Sequence, residues 1–233
     1  MKFFTCLLLF TTQLSFGQIK KLVPGSSIPG FMSLTRYDAT RQAVKGQEDT
    51  TRGRLIQVNL WYPSKRGNKN MSFADYVSLV GRELTPSLKD SSALRKGTDT
   101  YFTWPASAGA DKEKFKKFLQ RKTPMLAQRS SMRTKEKRPI ILLVHGYASD
   151  YAYMAEHLAS HGYIVLQVPV KGTTNYELDF AERGLDTQVK DYEFAMGVIN
   201  KELGITGDQM AVVGFSFGGQ SAIALSLRQK NIK

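Results

Sequence analysis

Three short, dominantly apolar stretches limit what this 233-residue chain can fold into. They are Ile140 to Val144, Tyr163 to Val168 and Met210 to Phe215, and all are rich in β-branched residues. Such runs suit strands covered on both faces, as in a parallel sheet. Helical patterns separate them. Tyr151 to His161 carries Met154 and Leu158 on one side and stops at Gly162, a suitable C-terminal cap. In the next helix Asp186 can cap the start. Val189, Tyr192, Met196, Ile199 and Leu203 then recur at spacings of three and four, and Gly204 ends it. Strand, helix, strand, helix, strand predicts an α/β domain, a mostly parallel sheet with helices on both faces.

Upstream, residues 31–38 and 54–62 alternate apolar and polar, the pattern of half-exposed strands, and Pro63 ends the second. A basic, helical insertion follows at about residues 64–138. The chain carries 33 Lys and Arg against 20 Asp and Glu, a net charge of +13. The insertion alone holds 18 against 7, so most of the excess sits there and not on the sheet. Ser72 with Asp75 three positions on resembles a capping box, followed by the apolar stripe Phe73, Tyr76, Val77 and Val80. A second helix is expected from Asp111 to Arg121, with Phe115, Phe118 and Leu119 on one face and Lys112, Lys114, Lys116 and Lys117 on the other. Two readings fit it: a helix lying on an anionic membrane surface, or a solvated lysine face whose apolar side packs on the domain.

The first residues read as an export signal. Met1-Lys2 gives a positive start, Phe3 to Phe10 an apolar core, and Ser15-Phe16-Gly17 the small residues of a cleavage site. The apolar run falls short of the roughly 20 residues that span a bilayer. The expectation is a signal peptide at 1–17, a single mature domain at 18–233, and a periplasmic or secreted location. Cys6 is the only cysteine, so cleavage leaves no disulfide and no cysteine-based metal site. No metal, nucleotide or other cofactor signature is present. An exported chain without a matching motif is also not expected to bind nucleic acid.

Chemistry enters at Gly214-Phe215-Ser216-Phe217-Gly218, a Gly-x-Ser-x-Gly segment. It follows directly on an apolar strand and leads into Gly219-Gln220-Ser221-Ala222-Ile223-Ala224-Leu225, which reads as a helix with a small-residue side. A serine thrust out on so tight a strand-to-helix turn needs strained backbone angles, and bulky residues two positions either side would clash. Ser216 is therefore the candidate nucleophile, with Gly214 and Gly218 shaping its elbow. The charge developing on a substrate oxygen needs donors. One is the backbone N–H of Phe217. The other is assigned to the N–H of Tyr147, in the turn His145-Gly146-Tyr147 at the end of an apolar strand, where Gly146 lets the backbone approach closely. His145 is read as bracing that loop, because the base in such an architecture follows the serine in chain order.

Leu143 to Tyr147, Leu158 to Val165 and Gly214 to Gly219 together resemble the platelet-activating factor acetylhydrolase branch of the α/β-hydrolases, as does Asn59-Leu60-Trp61-Tyr62-Pro63. The likeness covers about residues 54–63 and 139–233. Dienelactone-hydrolase-like enzymes share much of the pattern. The resemblance implies an α/β-hydrolase fold and metal-independent cleavage of a carboxylic ester or short acyl group, on a small-molecule or lipid ester, through an acyl-enzyme. It also implies that Ser216 and the N–H groups of Tyr147 and Phe217 take these roles.

The chain departs from that pattern after the serine. Family members carry an Asp and then a His downstream, but none of the 17 residues after Ser216 is Asp, Glu or His. His145, His157 and His161 all precede it. Asp186 and Asp191, on the preceding helix, are explained by capping and solvation. Arg228 to Lys233 reads like a loop into a further strand. The expectation is thus a hydrolase domain C-terminally truncated after the nucleophile helix and inactive alone. The alternative is an exported, non-catalytic binding module that keeps the fold.

Overall fold

A strand sends successive side chains to opposite faces, and both faces are used here. The structure, a computed structural model, describes residues 22–233 apart from 66, 68, 130–132, 134, 135 and 145. The expected signal peptide and His145 lie outside the described residues. In chain order the elements are β1 (Ile28–Asp38), β2 (Arg54–Ser64), β3 (Lys69–Ser72), α1 (Phe73–Arg82), α2 (Asp90–Tyr101), α3 (Thr103–Ser107) and α4 (Lys112–Gln120). Then come β4 (Pro124–Arg129), β5 (Ile140–Val144), α5 (Ala148–Ser160), β6 (Ile164–Val168), α6 (Glu182–Leu203), β7 (Met210–Gly214) and α7 (Phe217–Arg228). The seven strands form one mixed sheet in the order β3-β4-β1-β2-β6-β5-β7. Its β6-β5-β7 part is parallel.

On one face Ile140, Leu142, Val144, Ile164, Leu166 and Val168 pack with Val189, Tyr192, Ala195 and Ile199 of α6 and Ala222 and Leu225 of α7. On the other, Ile141, Leu143 and Val165 pack with α5 and with Phe73, Tyr76 and Val77 of α1. This two-sided cover is why the runs are apolar throughout. Gly204 closes α6 with φ +62, a left-handed cap that glycine adopts without strain.

Several expectations are corrected. The insertion is helical in α1–α4 but also extends the sheet. Its β4 pairs parallel to β1 at Gly30↔Gln128 and Phe31↔Arg129, and β3 pairs antiparallel to β4. Those strands are four and six residues long and carry Lys69, Asn70, Gln128 and Arg129, so no periodicity announces them. Strand β2 is not half-exposed; all eleven residues are buried. Its polar residues find partners inside: Asn59 donates to Gln167 at 2.8 Å, Gln57 donates to the Leu79 carbonyl at 3.1 Å, and Arg54 grips Asp191.

In α5 the deepest stripe is Ala148, Ala152, Ala155 and Ala159, each at most 1% exposed, while Met154 and Leu158 are only partly buried. Small side chains let the helix lie close to the sheet. Asp186 caps nothing: α6 starts four residues earlier, and Asp186 pairs with Lys190 at 2.7 Å and Arg228 at 2.6 Å. Asp191 is not solvated either. It is buried under Arg54, which binds it through two nitrogens at 2.8 Å, and under Arg41 at 2.8 Å.

Candidate active site

Strands β5 and β7 are hydrogen-bonded neighbours, with Val144 opposite Gly214. The turns that leave their C-terminal ends therefore lie side by side at one edge of the sheet. One turn carries Gly146 and Tyr147, the other Ser216 and Phe217.

Ser216 has φ +55 and ψ −128, the conformation that L-residues avoid. Lys122 is the other described non-glycine residue at positive φ. Strain of this kind costs about 1–3 kcal/mol and persists where the surroundings impose it. Gly214 permits the tight turn that carries it: a Cβ there would stand 2.2 Å from the Gly218 carbonyl oxygen, so only glycine fits. Gly218 donates to the Phe215 carbonyl at 2.9 Å and Gly219 to the Ser216 carbonyl at 2.9 Å, which locks the elbow. Ser216 ends up exposed, while Phe217 and Gly218 behind it are buried. Phe217 opens α7, and the first amides of a helix have no intrahelical acceptor, so its N–H suits an oxyanion donor. Beneath it Ser221 donates to Gln188 at 2.9 Å and ties α7 to α6.

The neighbouring turn is held from several sides. Gly146 has φ +72, as its place in the turn requires. Its carbonyl accepts from Gln167 Nε2 at 3.0 Å and from the Val170 N–H at 3.4 Å. The Tyr147 N–H, expected from the sequence to be an oxyanion donor, already has an acceptor. It donates to Asp150 Oδ2 at 2.7 Å, because an acidic side chain in the first turn of α5 reaches back to the residue before the helix. The Tyr147 ring meets Tyr101 of α2 at 6.1 Å, and its hydroxyl is hydrogen-bonded to Tyr176, which donates to Glu83 Oε2 at 2.9 Å. Glu83 is 1% exposed, and burial, partly offset by Lys171, pushes its carboxyl up to about 8. Lys171, fully buried and donating to the Leu55 carbonyl at 2.9 Å, is pushed down to about 8 by the same loss of solvent. Sequence reasoning missed this cluster of Glu83, Lys171 and Tyr176, since each residue is isolated in the chain and only folding brings them together.

His157 and His161 pack against each other at 4.5 Å at the far end of α5, and His161 contacts the Val23 carbonyl at 3.2 Å. A 13-residue helix is about 20 Å long, so neither reaches Ser216. No group of three or more metal-ligating side chains occurs among the described residues.

A family model described as Chlorophyllase matches residues 117–233, half of the chain. Dipeptidyl aminopeptidase BIII of Pseudoxanthomonas mexicana is 28% identical over 177 residues, which is 70% of this chain and 22% of that protein. A ferulic acid esterase from Streptomyces cinnamoneus superposes with a TM-score of 0.57 at 20% identity, covering 90% of this chain and 58% of that one. The chain thus spans about a fifth of the curated relative and under two thirds of the esterase. The superposition shows a shared α/β-hydrolase fold.

Proposed function

The chain belongs to the chlorophyllase family, a hydrolase of the α/β type with esterase and peptidase relatives, and from that premise we propose that it is a serine hydrolase cleaving carboxylic esters through an acyl-enzyme at Ser216. One observation carries the proposal: an exposed serine at φ +55, between a strand and a helix that meet at Gly214 and Gly218. Packing alone gives no reason to keep a non-glycine residue strained there.

In the proposed reaction Ser216 Oγ attacks the ester carbonyl, and its proton passes to a base. The carbonyl oxygen becomes an oxyanion received by the N–H groups of Phe217 and Tyr147. The C–O bond to the alcohol breaks as the alcohol takes a proton, and water then releases the acid from the serine ester. At Tyr147 the oxyanion competes with the Asp150 carboxylate for one donor. Exposed Phe215 and Phe180, the latter edge-on to Phe217 at 5.4 Å, offer apolar surface beside the elbow for the acyl or alcohol group.

An ester suits the described groups better than an amide. An amine must be protonated to leave, and the histidines among the described residues, His157 and His161, sit at the far end of α5 from Ser216, whereas an activated alcohol departs without that help. The described residues offer a serine and a cradle but no histidine within reach of them, so turnover of a nitrophenyl ester is expected far below the ordinary range of about 1–10³ per second. It should vanish in Ser216→Ala, and a dipeptidyl nitroanilide should not be cleaved at all. Serine-independent ester turnover, or preferential nitroanilide cleavage, would overturn the proposal.

Export remains a proposal that rests on residues 1–17. For α4, the phenylalanines are used within the domain: Phe115 stacks on Phe102 at 5.4 Å and Phe118 lies 5.7 Å from Phe73. This supports a solvated lysine face over a helix lying on a membrane. Salt-sensitive cosedimentation with anionic but not neutral vesicles would reverse that preference.

A further inference from the structure

We propose that Gln167 is a positioning residue for oxyanion stabilisation: its side-chain amide holds the Gly146 carbonyl and thereby sets the direction of the Tyr147 N–H. This rests on the oxyanion role proposed for that N–H. The carbonyl of Gly146 and the N–H of Tyr147 belong to one peptide unit, which is planar and trans. Fixing the oxygen therefore fixes the hydrogen on the opposite side. Gln167 Nε2 donates to that oxygen at 3.0 Å.

Its grip is rigid because the donor is itself held. Gln167 is fully buried in β6, and its Oε1 accepts from Asn59 Nδ2 at 2.8 Å. Asn59, also fully buried, accepts from Ser33 Oγ at 2.8 Å and donates to Gln57 Oε1 at 3.2 Å. A chain of polar side chains, the Ser33 hydroxyl of β1 and then the amides of Asn59 in β2 and Gln167 in β6, thus runs to the turn beside Ser216. Burying polar groups in the centre of an otherwise apolar sheet is unfavourable unless each finds a partner. Core packing needs no amide at either position, since leucine or methionine would fill the space. The chain leaves the sheet at two carbonyls, Leu79 of α1, held by Gln57, and Gly146, held by Gln167, and the second is the one in the turn beside Ser216.

The test compares the full chain with Gln167→Met and with Gln57→Met, a matched control: Gln57 is equally buried in the same amide chain but bonds the Leu79 carbonyl instead. Hydrogen exchange of the amides from 146 to 150 and phosphonylation of Ser216 by a fluorophosphonate are both followed. Gln167→Met is expected to speed exchange in that turn by about tenfold, the factor a single lost hydrogen bond produces. It should slow Ser216 labelling by about 10- to 100-fold, as small misplacements of catalytic donors do. Gln57→Met should lower the melting temperature comparably yet leave both readouts near those of the parent. Unchanged exchange and labelling in Gln167→Met, or equal changes in both variants, would overturn the positioning role. If Ser216 in the parent chain is not labelled, the nucleophile assignment falls, and with it the oxyanion role, while the exchange contrast still decides whether Gln167 holds the turn.

Discussion

At the scale of single residues, strain and burial give opposite handles on stability. Ser216 sits at a backbone conformation that glycine adopts freely, so Ser216→Gly is expected to raise the stability of the fold by about 1 kcal/mol while removing the nucleophile. A lower or unchanged melting temperature would show that the elbow is not strained. Gly214→Ala should do the reverse and destabilise strongly, because its Cβ would meet the Gly218 carbonyl at 2.2 Å. Glu83 gives a pH signature. Its carboxyl is raised by burial from 4.5 to about 8, so the folded state favours the protonated form. That contribution is fully present below the ordinary value and is lost as pH rises through about 8. Lys171, lowered from 10.5 to about 8, works in the other sense and loses its contribution as pH falls through about 8. Thermal melts between about pH 5 and 8 should therefore show a decline that Glu83→Gln flattens; an identical slope in the variant would contradict the assignment. The strained turn at Ser216 and its glycine at 214 were legible from the sequence because the constraint is local. The engagement of Tyr147 by Asp150 was not, although the spacing of three that allows it stands in the chain, since an acidic residue in a first turn has several ordinary uses.

At the scale of elements, buried polar contacts decide how the insertion joins the sheet. Trp61 Nε1 of β2 donates to the Tyr76 hydroxyl of α1 at 2.9 Å, and Tyr76 donates to Glu156 of α5 at 2.7 Å. The second oxygen of Glu156 accepts from the Leu126 N–H of β4 at 2.7 Å. One carboxylate thus joins four elements. Glu156→Ala would leave a buried hydroxyl and a buried amide without acceptors, and should cost about 2–4 kcal/mol in denaturant unfolding. A loss below about 0.5 kcal/mol would mean that the contacts are replaceable. The sequence revealed the β5, β6 and β7 strands, the α1 capping box and the span of α4, because period and capping are written in neighbouring residues. In α5 it picked out Met154 and Leu158, which do pack against the core, but not the deeper stripe of alanine, a residue that carries little hydrophobic signal. It misplaced β2 as half-exposed because Arg54, Gln57 and Asn59 look like surface residues until their partners are seen.

At the scale of the whole molecule, the described sheet ends at β7 with an apolar flank. Val213, Phe215, Ile223 and Leu227 are 43%, 70%, 66% and 82% exposed, and Ile232 begins a parallel pairing with Met210. An exposed edge strand with apolar neighbours invites self-association. Sedimentation of the chain should show concentration-dependent oligomers that Ile223→Lys together with Leu227→Lys disperses; a monomer at all concentrations would count against this. The exposed elbow at the same edge is the centre of the functional proposal. It is tested most directly by incubating folded chain with excess fluorophosphonate and mapping the adduct by peptide mass. The expected result is slow modification confined to Ser216, faster when imidazole is added to serve as the base, and absent in Ser216→Ala. An unmodified Ser216 in folded protein, or the same adduct in Ser216→Ala, would contradict its assignment as the nucleophile.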